Sequence, residues 1–547
     1  MDGGNPTTAL LEKDTVDGVV DYRGKPVSRS NSGGWRSALF VMGGEVAERF
    51  AYYGIEANLI NYLTGPFGKS IAEAAASVNV WAGFTCAFSL LGAFLGDSYL
   101  GRYRMVLLAS FVYVAGAIML MLSALLPSLH PPQCQDRETC SPPTQFQTYF
   151  LFASLYLVAI AQGGHKPNLQ AFGADQFDAQ DPKEGRSKSS FFNWLNFSVC
   201  FGSASSILIV TYIQDNKSWG LGFSLPCISL LVASALFFLG TPTYRYVPIN
   251  KTQKSANEPG LQPLPVSSRY GDDDHDQRLG IRISPEEAAR DVPKSAYKFE
   301  FVEVAKFLRL MPIWVTCIFY GIVDSQPTSL FNKQGVTMDR RIGPHFQVPA
   351  AALESSIAIT TILFVPIYDR IFVPFMRPLT GLPSGITTLQ RIGIGLLFSF
   401  ASMAVAATVE SRRLALAGEL GLADDPLATV PMRVWWLLPQ YVLYGAANVF
   451  VYIGSSEFFY DQMREGRRSL GIAFCLTAFG VGNFLSGILV SVIDRGSGAH
   501  GRSWFDPNLN RAHLDYFFWL IASLSAVGFV LFLYFSKSFV YKNKDRY

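Results

Sequence analysis

The sequence predicts an all-α membrane protein, and three observations support this fold class. Half of the 547 residues are hydrophobic. Only 16% are charged, whereas a soluble domain usually carries about 25%. Long uncharged runs recur along the chain, for example 105–129 and 469–493. Each run is near or above the roughly 20 residues that a membrane-spanning helix needs.

About twelve apolar segments satisfy this length rule, and we interpret each of them as one span. The first 34 residues are polar and glycine-rich, so we expect no cleavable signal peptide and expect the first span to direct insertion. The predicted spans are 36–63, 77–97, 103–127, 147–172, 189–213, 218–241, 304–330, 348–370, 388–410, 433–460, 468–494 and 513–537.

A polar segment between the sixth and seventh spans divides them into two sets of six. Residues 245–300 are rich in charge, Pro and Gly, which is typical of a partly disordered linker. A weak internal echo relates the two sets, because "GDSYLGRYR" follows the second span and "YDRIF" ends the eighth. Two repeats around a midplane cavity are typical of transporters. The predicted division is a tail at 1–35, a bundle at 36–241, a linker at 242–303, a bundle at 304–537 and a tail at 538–547.

Basic residues indicate the orientation in the membrane. In the first half, ten Lys and Arg residues fall on the side of the N-terminus and the linker, against three on the other side. The positive-inside rule therefore places the N-terminus, the linker and the C-terminus in the cytosol. The second half is less decisive, because four arginines fall on its outer side. The plasma membrane and the vacuolar membrane both remain open, and a net charge of +3 is too small to indicate a nucleic-acid partner.

The cysteines do not suggest a metal site. Five of the seven lie singly in apolar runs, where a small buried side chain is the simpler interpretation. Cys134 and Cys140 share a polar loop, "PPQCQDRETCSPP", and either form a disulfide on a non-cytosolic side or remain two free thiols. No catalytic motif or phosphate-binding loop is present, so we expect neither an enzyme nor a cofactor.

The first span has an unusual charged face, "GGEVAERFAYYGIEANL". Its polar side chains follow one another in steps of three and four and therefore share one side of a helix. They are Glu45, Glu48, Arg49, Tyr52, Tyr53 and Glu56. Charge at bilayer depth is costly unless it faces a partner or water. The cluster is either an internal ion-pair network or a proton relay, because three acids and one base leave a carboxylate able to take up a proton.

Few other spans contain polar groups. Lys166 lies one turn from Gln162 and Gln170, which gives the fourth span a polar stripe, and the adjoining His165 is either a packing or a functional residue. The remaining candidates are Asn193, Asn196, Asp324, Gln326 and Glu457. If these face one cavity, Lys166 from the first half opposes Glu457 from the second, which suits a zwitterion or an anion. The alternative is a Lys166–Glu457 salt bridge that locks the halves together and opens as a gate.

Several motifs together resemble those of the plant nitrate/peptide transporter family, a branch of the proton-coupled oligopeptide transporters. "EVAERFAYYG" is similar to the ExxER motif, and "GGHKPNLQAFGADQFD" and "FFNWLNFSVCFGS" resemble two long motifs of the plant branch. "LGDSYLGRYR", "LQRIGIG" and "SSEFFYDQM" also fit. The resemblance implies a major facilitator fold: two six-helix bundles around a cavity that opens alternately to each side.

The resemblance also implies residue roles. Glu45 and Glu48, with Arg49, match the residues that couple transport to protons. The expected substrate-binding residues are Tyr52, Tyr53, Lys166, Asn196, Asp324, Gln326 and Glu457. Arg49, Tyr53 and Lys166 match groups that contact a substrate carboxylate, and Glu457 matches an acid that receives an amino group. Three departures from the family pattern matter, at Asp324, Met105 and Ile357. Asp324 stands where a well-known member has a histidine linked to nitrate binding, and an acid facing an anion is unfavourable.

These observations predict a proton-coupled symporter of small solutes, either di- and tripeptides or nitrate, with protons as the coupling ion. A carrier of a plant hormone or specialised metabolite, and a solute sensor with little flux, are the alternatives. The expected partners are the solute, protons and the lipid bilayer, and the oligomeric state is left open.

Overall fold

The computed structural model is helical along most of the chain that it describes. The described residues are 15–131, 142–178, 181–248, 308–343, 346–381, 385–426, 428–463, 468–499 and 503–539. Cys134, Cys140, most of the predicted linker and both ends of the chain lie outside them.

Six long helices make up the first half, after a small hairpin of β1 (Thr15–Val20) and β2 (Pro26–Ser28). The helices are α1 (Gly34–Glu56), a short α2 (Leu59–Thr64), α3 (Ile71–Leu95), α4 (Arg102–Leu125), α5 (Gln145–Ala174), α6 (Pro182–Asn216) and α7 (Trp219–Leu239). The first predicted span, 36–63, is therefore interrupted, since Ala57 and Asn58 separate α1 from α2.

The second half repeats this plan with more irregular connections. Its helices are α8 (308–324), a short α9 (Leu330–Val336), α10 (Ser355–Ile367), α11 (Val373–Thr380), α12 (Thr388–Glu419), α13 (Leu438–Gln462), α14 (Arg468–Gly498) and α15 (Leu514–Ser538). Its short strands are β3 (Met338–Asp339), β4 (Arg341–Ile342), β5 (Phe346–Gln347) and β6 (Val430–Arg433), which pair as β3 with β6 and β4 with β5. A 3₁₀ turn, Ala350–Glu354, leads into α10.

Side-chain caps fix where several helices begin. Thr144 and Gln147 form a reciprocal capping box at the start of α5, and Thr387 and Gln390 form another at the start of α12. Ser70 accepts a hydrogen bond from the Glu73 backbone N–H at the start of α3. Such bonds satisfy backbone donors that have no partner inside the helix, a need that is most acute in a membrane.

The internal echo in the sequence has a structural counterpart. α3 ends in a π-helical turn, Gly96–Leu100, and α10 ends in another, Tyr368–Phe372. Both turns contain an acid of the echoed motif and lie at the same place in their halves. The two six-helix bundles are thus related repeats.

The most extensive contacts between the bundles join α3 with α14 and α6 with α10. Within the first bundle, α3 and α5 approach closely at glycines: a Cβ added to Gly92 would lie 2.3 Å from the Gly163 carbonyl oxygen. Small residues at such crossings allow close helix packing in a membrane.

Ten helices among the described residues are long and apolar enough to cross a membrane. Two of the twelve predicted spans miss that criterion for simple reasons: α1 contains five charged side chains, and α8 is 17 residues long within the described range. Large apolar side chains point outward, for example Phe111 and Phe238, which are 75% and 64% exposed. These features confirm an all-α membrane protein with a major facilitator architecture.

The two ends of the bundle differ. We call the side with β1, β2 and the end of α7 the linker side, and the opposite one the far side. On the linker side, the buried Arg245 binds Glu184 at 2.7 Å and the Ser32 carbonyl oxygen at 2.7 Å. Arg102, at the start of α4, bridges Asp97 and Asp175 at 2.8 and 2.7 Å. These bonds hold the N-terminal segment and the helix ends of the first half together.

On the far side, polar bonds join the two halves to each other. The Asn332 side chain donates to the Ala57 carbonyl oxygen at 2.7 Å, and Lys333 donates to the Thr64 hydroxyl. Both second-half residues are buried. We call these two bonds the far-side latch, and they bring the bundles together beyond the central cavity.

Candidate functional site

A cavity of about 390 Å³ lies between the two bundles. Its wall mixes aromatic, polar and charged side chains from both halves. The sequence-predicted residues that line it are Arg49, Tyr52, Tyr53, Lys166, Asn196 and Asp324, together with Glu56. Its volume suits a small solute, and its five charged lining residues, which include the additional Glu354, distinguish it from an apolar cofactor pocket.

The charged face of α1 continues from the cavity wall into a buried ion-pair cluster. Arg49 lies 2.6 Å from Glu48 and 3.4 Å from Glu45, and the two acids are fully buried. Gln170 of α5 donates to Glu45 at 3.3 Å. Gln162 lies between Glu48 and Arg49, and in the amide orientation that satisfies both it is 2.6 Å from Glu48 and 2.8 Å from Arg49.

Arg49 thus forms ion pairs with two carboxylates. The second oxygen of Glu45, Oε2, has no hydrogen-bond partner among the described residues. The structure contains the ion-pair network that the sequence gave as one alternative, and the proton relay at the same residues stays a prediction. A group that pairs incompletely in a buried cluster is well placed to exchange a proton when its partner moves.

Two acids that line the cavity are held by tyrosines. The Tyr52 hydroxyl donates to Glu56 at 3.0 Å, and the Tyr444 hydroxyl donates to Asp324 at 2.5 Å. Arg49 lies over the Tyr52 ring, 5.6 Å from its centroid. The aromatic wall therefore positions charges as well as supplying contact surface.

Lys166 projects from α5 into the cavity, as the sequence predicts. Its Nζ lies 5.9 Å from the ring centroid of Tyr452 on α13, and no salt bridge holds it among the described residues. Pro167 follows it within the helix, and Asn168 donates to the carbonyl oxygens of Gly92 and Gly164. Those bonds fix the α3–α5 crossing next to the lysine.

Glu457 is not where the sequence placed it, and the expected opposition of Lys166 and Glu457 across the cavity is wrong for this structure. The Glu457 side chain is half exposed and lies 3.4 Å from Arg391. Tyr444, Asn448 and Tyr452 line the cavity in steps of four along α13. Val449 and Ile453 line it as well, and Glu457 follows Ile453 by one turn. Glu457 therefore lies beyond the lining because it is nearer the linker-side end of α13, which ends at Gln462.

Gln326 also lies outside the cavity. Helix α8 ends at Asp324, and the chain turns there, with the Gln326 N–H donating to the Val323 carbonyl oxygen at 3.0 Å. The Gln326 side chain is buried and donates to Ser486 of α14 at 3.1 Å. It contributes to packing beside the cavity and not to its lining.

Several polar lining residues were missed from the sequence, among them Asn448 and Glu354. Asn448 is the cavity-facing polar group of α13, one turn from Tyr444 and from Tyr452. Glu354, at the end of the 3₁₀ turn before α10, is 3% exposed and also lines the cavity. Glu354 lies inside the predicted span 348–370, and an acid inside a span was the signal that could have found it.

His165 points away from the cavity lining. It is buried with its ring 6.4 Å from the Tyr113 ring, and its Nδ1 has no hydrogen-bond partner in the described part of the chain. No group of three His, Cys, Asp or Glu side chains that could hold a metal ion occurs in the described residues.

A helical membrane protein with repeated six-helix bundles and a charged central cavity belongs to the class of secondary transporters. Comparison with known proteins identifies the family. Residues 103–505 match the model of the POT family. The chain is 48% identical to protein NRT1/PTR FAMILY 5.10 and 47% identical to protein NRT1/PTR FAMILY 5.14, both of Arabidopsis thaliana, over 96% and 98% of its length and 97% and 98% of theirs. The chain therefore belongs to the POT family of transporters, as the motifs indicated.

Solved structures agree on the fold. An auto-inhibited POT family peptide transporter aligns with a TM-score of 0.69 at 20% identity, covering 94% of this chain and 99% of that one. A POT family transporter in complex with 5-aminolevulinic acid aligns with a TM-score of 0.62 at 16% identity, covering 92% and 96%. At this identity the likeness supports the architecture and leaves the cargo to be argued from this chain's own residues.

Proposed function

We propose that this chain is a proton-coupled symporter that moves small solutes by alternating access. The observation that supports it most directly is the position of Arg49. Its guanidinium lines the cavity and at the same time pairs with Glu45 and Glu48 behind the wall. A proton that neutralises one of those acids weakens its hold on the arginine, and the arginine is then freer to attract an anionic group in the cavity.

The substrate site in this proposal is the part of the cavity between the bundles. Arg49 and Lys166 attract an anionic group, and Tyr53 and Asn196 line the same space. Peptides and nitrate both carry negative charge and both fit within the volume. Asp324 is held by Tyr444, so its charge is partly balanced and does not by itself exclude nitrate.

Alternation follows from the repeat. The far-side latch joins the halves beyond the cavity, so opening to that side requires those bonds to break while the bundles rock about the central site. The excess of basic residues supports a cytosolic position for the linker side. The closed far side then faces the outside of a cell or the lumen of a vacuole.

The test is uptake by the purified chain in liposomes with and without an inward proton gradient, offering dipeptides and nitrate in turn. We expect the gradient to drive accumulation in the wild type. Glu48→Gln should lose the accumulation but keep exchange of labelled for unlabelled solute, because exchange needs no net proton movement. Glu73→Gln is the matched control, since that exposed acid at the start of α3 lies outside the cavity. Gradient-driven accumulation by Glu48→Gln would refute the proposed proton site.

Oocyte currents separate the cargoes. An inward current at acidic external pH with dipeptides supports a zwitterionic cargo, and one with nitrate supports the anion. Solute binding without flux in either system would instead favour a sensor, and no response to either solute favours a specialised metabolite.

A further inference from the structure

Most of the charged side chains that line the cavity have an ion-pair or hydrogen-bond partner. The remaining ones give the cavity a positive end and a negative end. Arg49 pairs with Glu45 and Glu48 behind the wall. Glu56 accepts from Tyr52, and Asp324 accepts from Tyr444. These contacts account for three of the five charged lining residues.

The other two are Lys166 and Glu354. No acid forms a salt bridge with Lys166 in the described residues, and its nearest described cation–π contact is the Tyr452 ring. Glu354 is 97% buried, given its 3% exposure, and its Oε2 has no hydrogen-bond partner within the described ranges. A buried carboxyl with no cation and an unfilled acceptor is costly to ionise, so its charged form needs a cationic partner that enters the cavity.

Glu354 also has an acidic neighbour. Glu56 of the first bundle is close enough to interact electrostatically with Glu354 of the second, and the two carboxyl groups repel each other when both are ionised. Tyr53 lies near both carboxylates. A cationic group placed between them satisfies the unfilled acceptor and relieves the repulsion together, whereas an anion there adds to it.

We propose that Glu354 is the residue that selects a cationic group on the substrate, with Glu56 beside it and Lys166 binding the anionic end of the same molecule. This assignment rests on the proposed function of the cavity and deepens it. It replaces Glu457 as the second-half acid that opposes Lys166. The preferred substrate class is then a small molecule with an ammonium or similar cation at one end and a carboxylate at the other.

The test compares two ligands that differ only in the cation. Dialanine has a free ammonium, and N-acetyl-dialanine keeps the carboxylate but lacks the positive charge. Binding of each to the purified full chain is measured by calorimetry in detergent, without any proton gradient. We expect the wild type to bind dialanine about 10- to 100-fold more tightly, the range for one hydrogen bond to a charged group.

Three variants assign the preference to a residue. Glu354→Gln, which keeps the side-chain shape, should weaken dialanine binding to the level of N-acetyl-dialanine and leave the latter unchanged. Unchanged N-acetyl-dialanine binding also shows that the variant is folded. Glu354→Asp keeps the charge and should retain part of the preference. Glu457→Gln should keep all of it, because that acid lies outside the cavity.

The outcomes are decisive in both directions. A preference that survives Glu354→Gln, that disappears in Glu457→Gln, or that is lost equally in Glu354→Asp and Glu354→Gln overturns the assignment. So does a wild type that binds neither peptide or prefers the acetylated one. Failure of symport has a different signature: dialanine binds with the expected preference, but a proton gradient does not drive its accumulation in liposomes.

Discussion

The far-side latch makes a quantitative prediction about the conformational equilibrium. In the closed far side, Asn332 binds the Ala57 carbonyl oxygen and Lys333 binds the Thr64 hydroxyl. When that side opens, water replaces all four partners, so the bonds stabilise only the closed state. A neutral bond contributes about 0.5–1.5 kcal/mol and a charged one about 1.5–3 kcal/mol. Removing both should shift the equilibrium by about 2–4 kcal/mol, which is roughly 30- to 1000-fold.

The perturbation is the double variant Asn332→Leu and Lys333→Met. Spin labels introduced as noncanonical amino acids at Glu73 and Asp424 report the distance between the far sides of the two bundles, and both side chains are exposed. We expect the variant to populate a longer distance that is rare in the wild type. The noncanonical labels leave the seven native cysteines untouched.

Arg412→Met is the control for that experiment. Arg412 stacks on Trp436 at 5.2 Å within the second half, so its loss removes a charge and a contact without touching the bundle interface. It should leave the distance distribution unchanged. A double variant with the wild-type distribution would show that the two bonds do not hold the far side closed.

Two further predictions concern stability, read as the midpoint of thermal unfolding in detergent. Arg413→Met should lower the midpoint strongly, because Arg413 makes five hydrogen bonds in a fully buried site. Its loss leaves Glu410 without its cation, which costs about 3–5 kcal/mol. An unchanged midpoint would contradict that account. Gly92→Ala should also lower the midpoint, because the new Cβ would lie 2.3 Å from a carbonyl oxygen and force the helix crossing apart, at a cost of about 1–3 kcal/mol. Gly418→Ala is the control and should leave the midpoint unchanged, because nothing lies within 4 Å of its new Cβ.

Much of the fold was predictable because the membrane leaves few choices. Uncharged runs of sufficient length must become helices, since lipid offers no hydrogen-bond partner to the backbone. The length of the apolar runs alone could not predict local irregularities of the helices. The break at Ala57 and Asn58 lies inside an apolar run, and the π-helical turns at the ends of α3 and α10 depend on packing against neighbouring helices.

The site was predictable where helical periodicity could be applied. The α1 face from Arg49 to Glu56 does line the cavity, because residues three and four apart share a side. Glu45 and Glu48 lie on the same helix but nearer the linker side, where α5 covers them with Gln162 and Gln170. The periodicity gives the face of a residue, and only the neighbouring helices decide whether that face meets water or protein.

Glu457 shows the complementary failure. The motif "SSEFFYDQM" indicated an acid near the end of a span but did not show how far along the helix the cavity extends. The lining of α13 ends at Ile453, one turn before Glu457, and Asn448 is a polar residue within that lining. Glu354 was overlooked although it lies inside the predicted span 348–370, because it is a single acid in a 3₁₀ turn and does not belong to a polar stripe with helical spacing.

The proposal that Glu354, and not Glu457, binds the cationic group of the substrate changes how substrate and proton can be coupled. An acid at the Glu457 position, near the linker side and paired with Arg391, can act on the opening of that side but does not meet a molecule in the cavity. Glu354 of the second bundle and Glu56 of the first both line the cavity and interact electrostatically. A cationic group between them favours approach of the bundles, while an empty pair opposes it. In the mechanism that we propose, the same two acids recognise the substrate and make closure around it depend on its charge, and Arg49, shared with Glu45 and Glu48, links that closure to the proton.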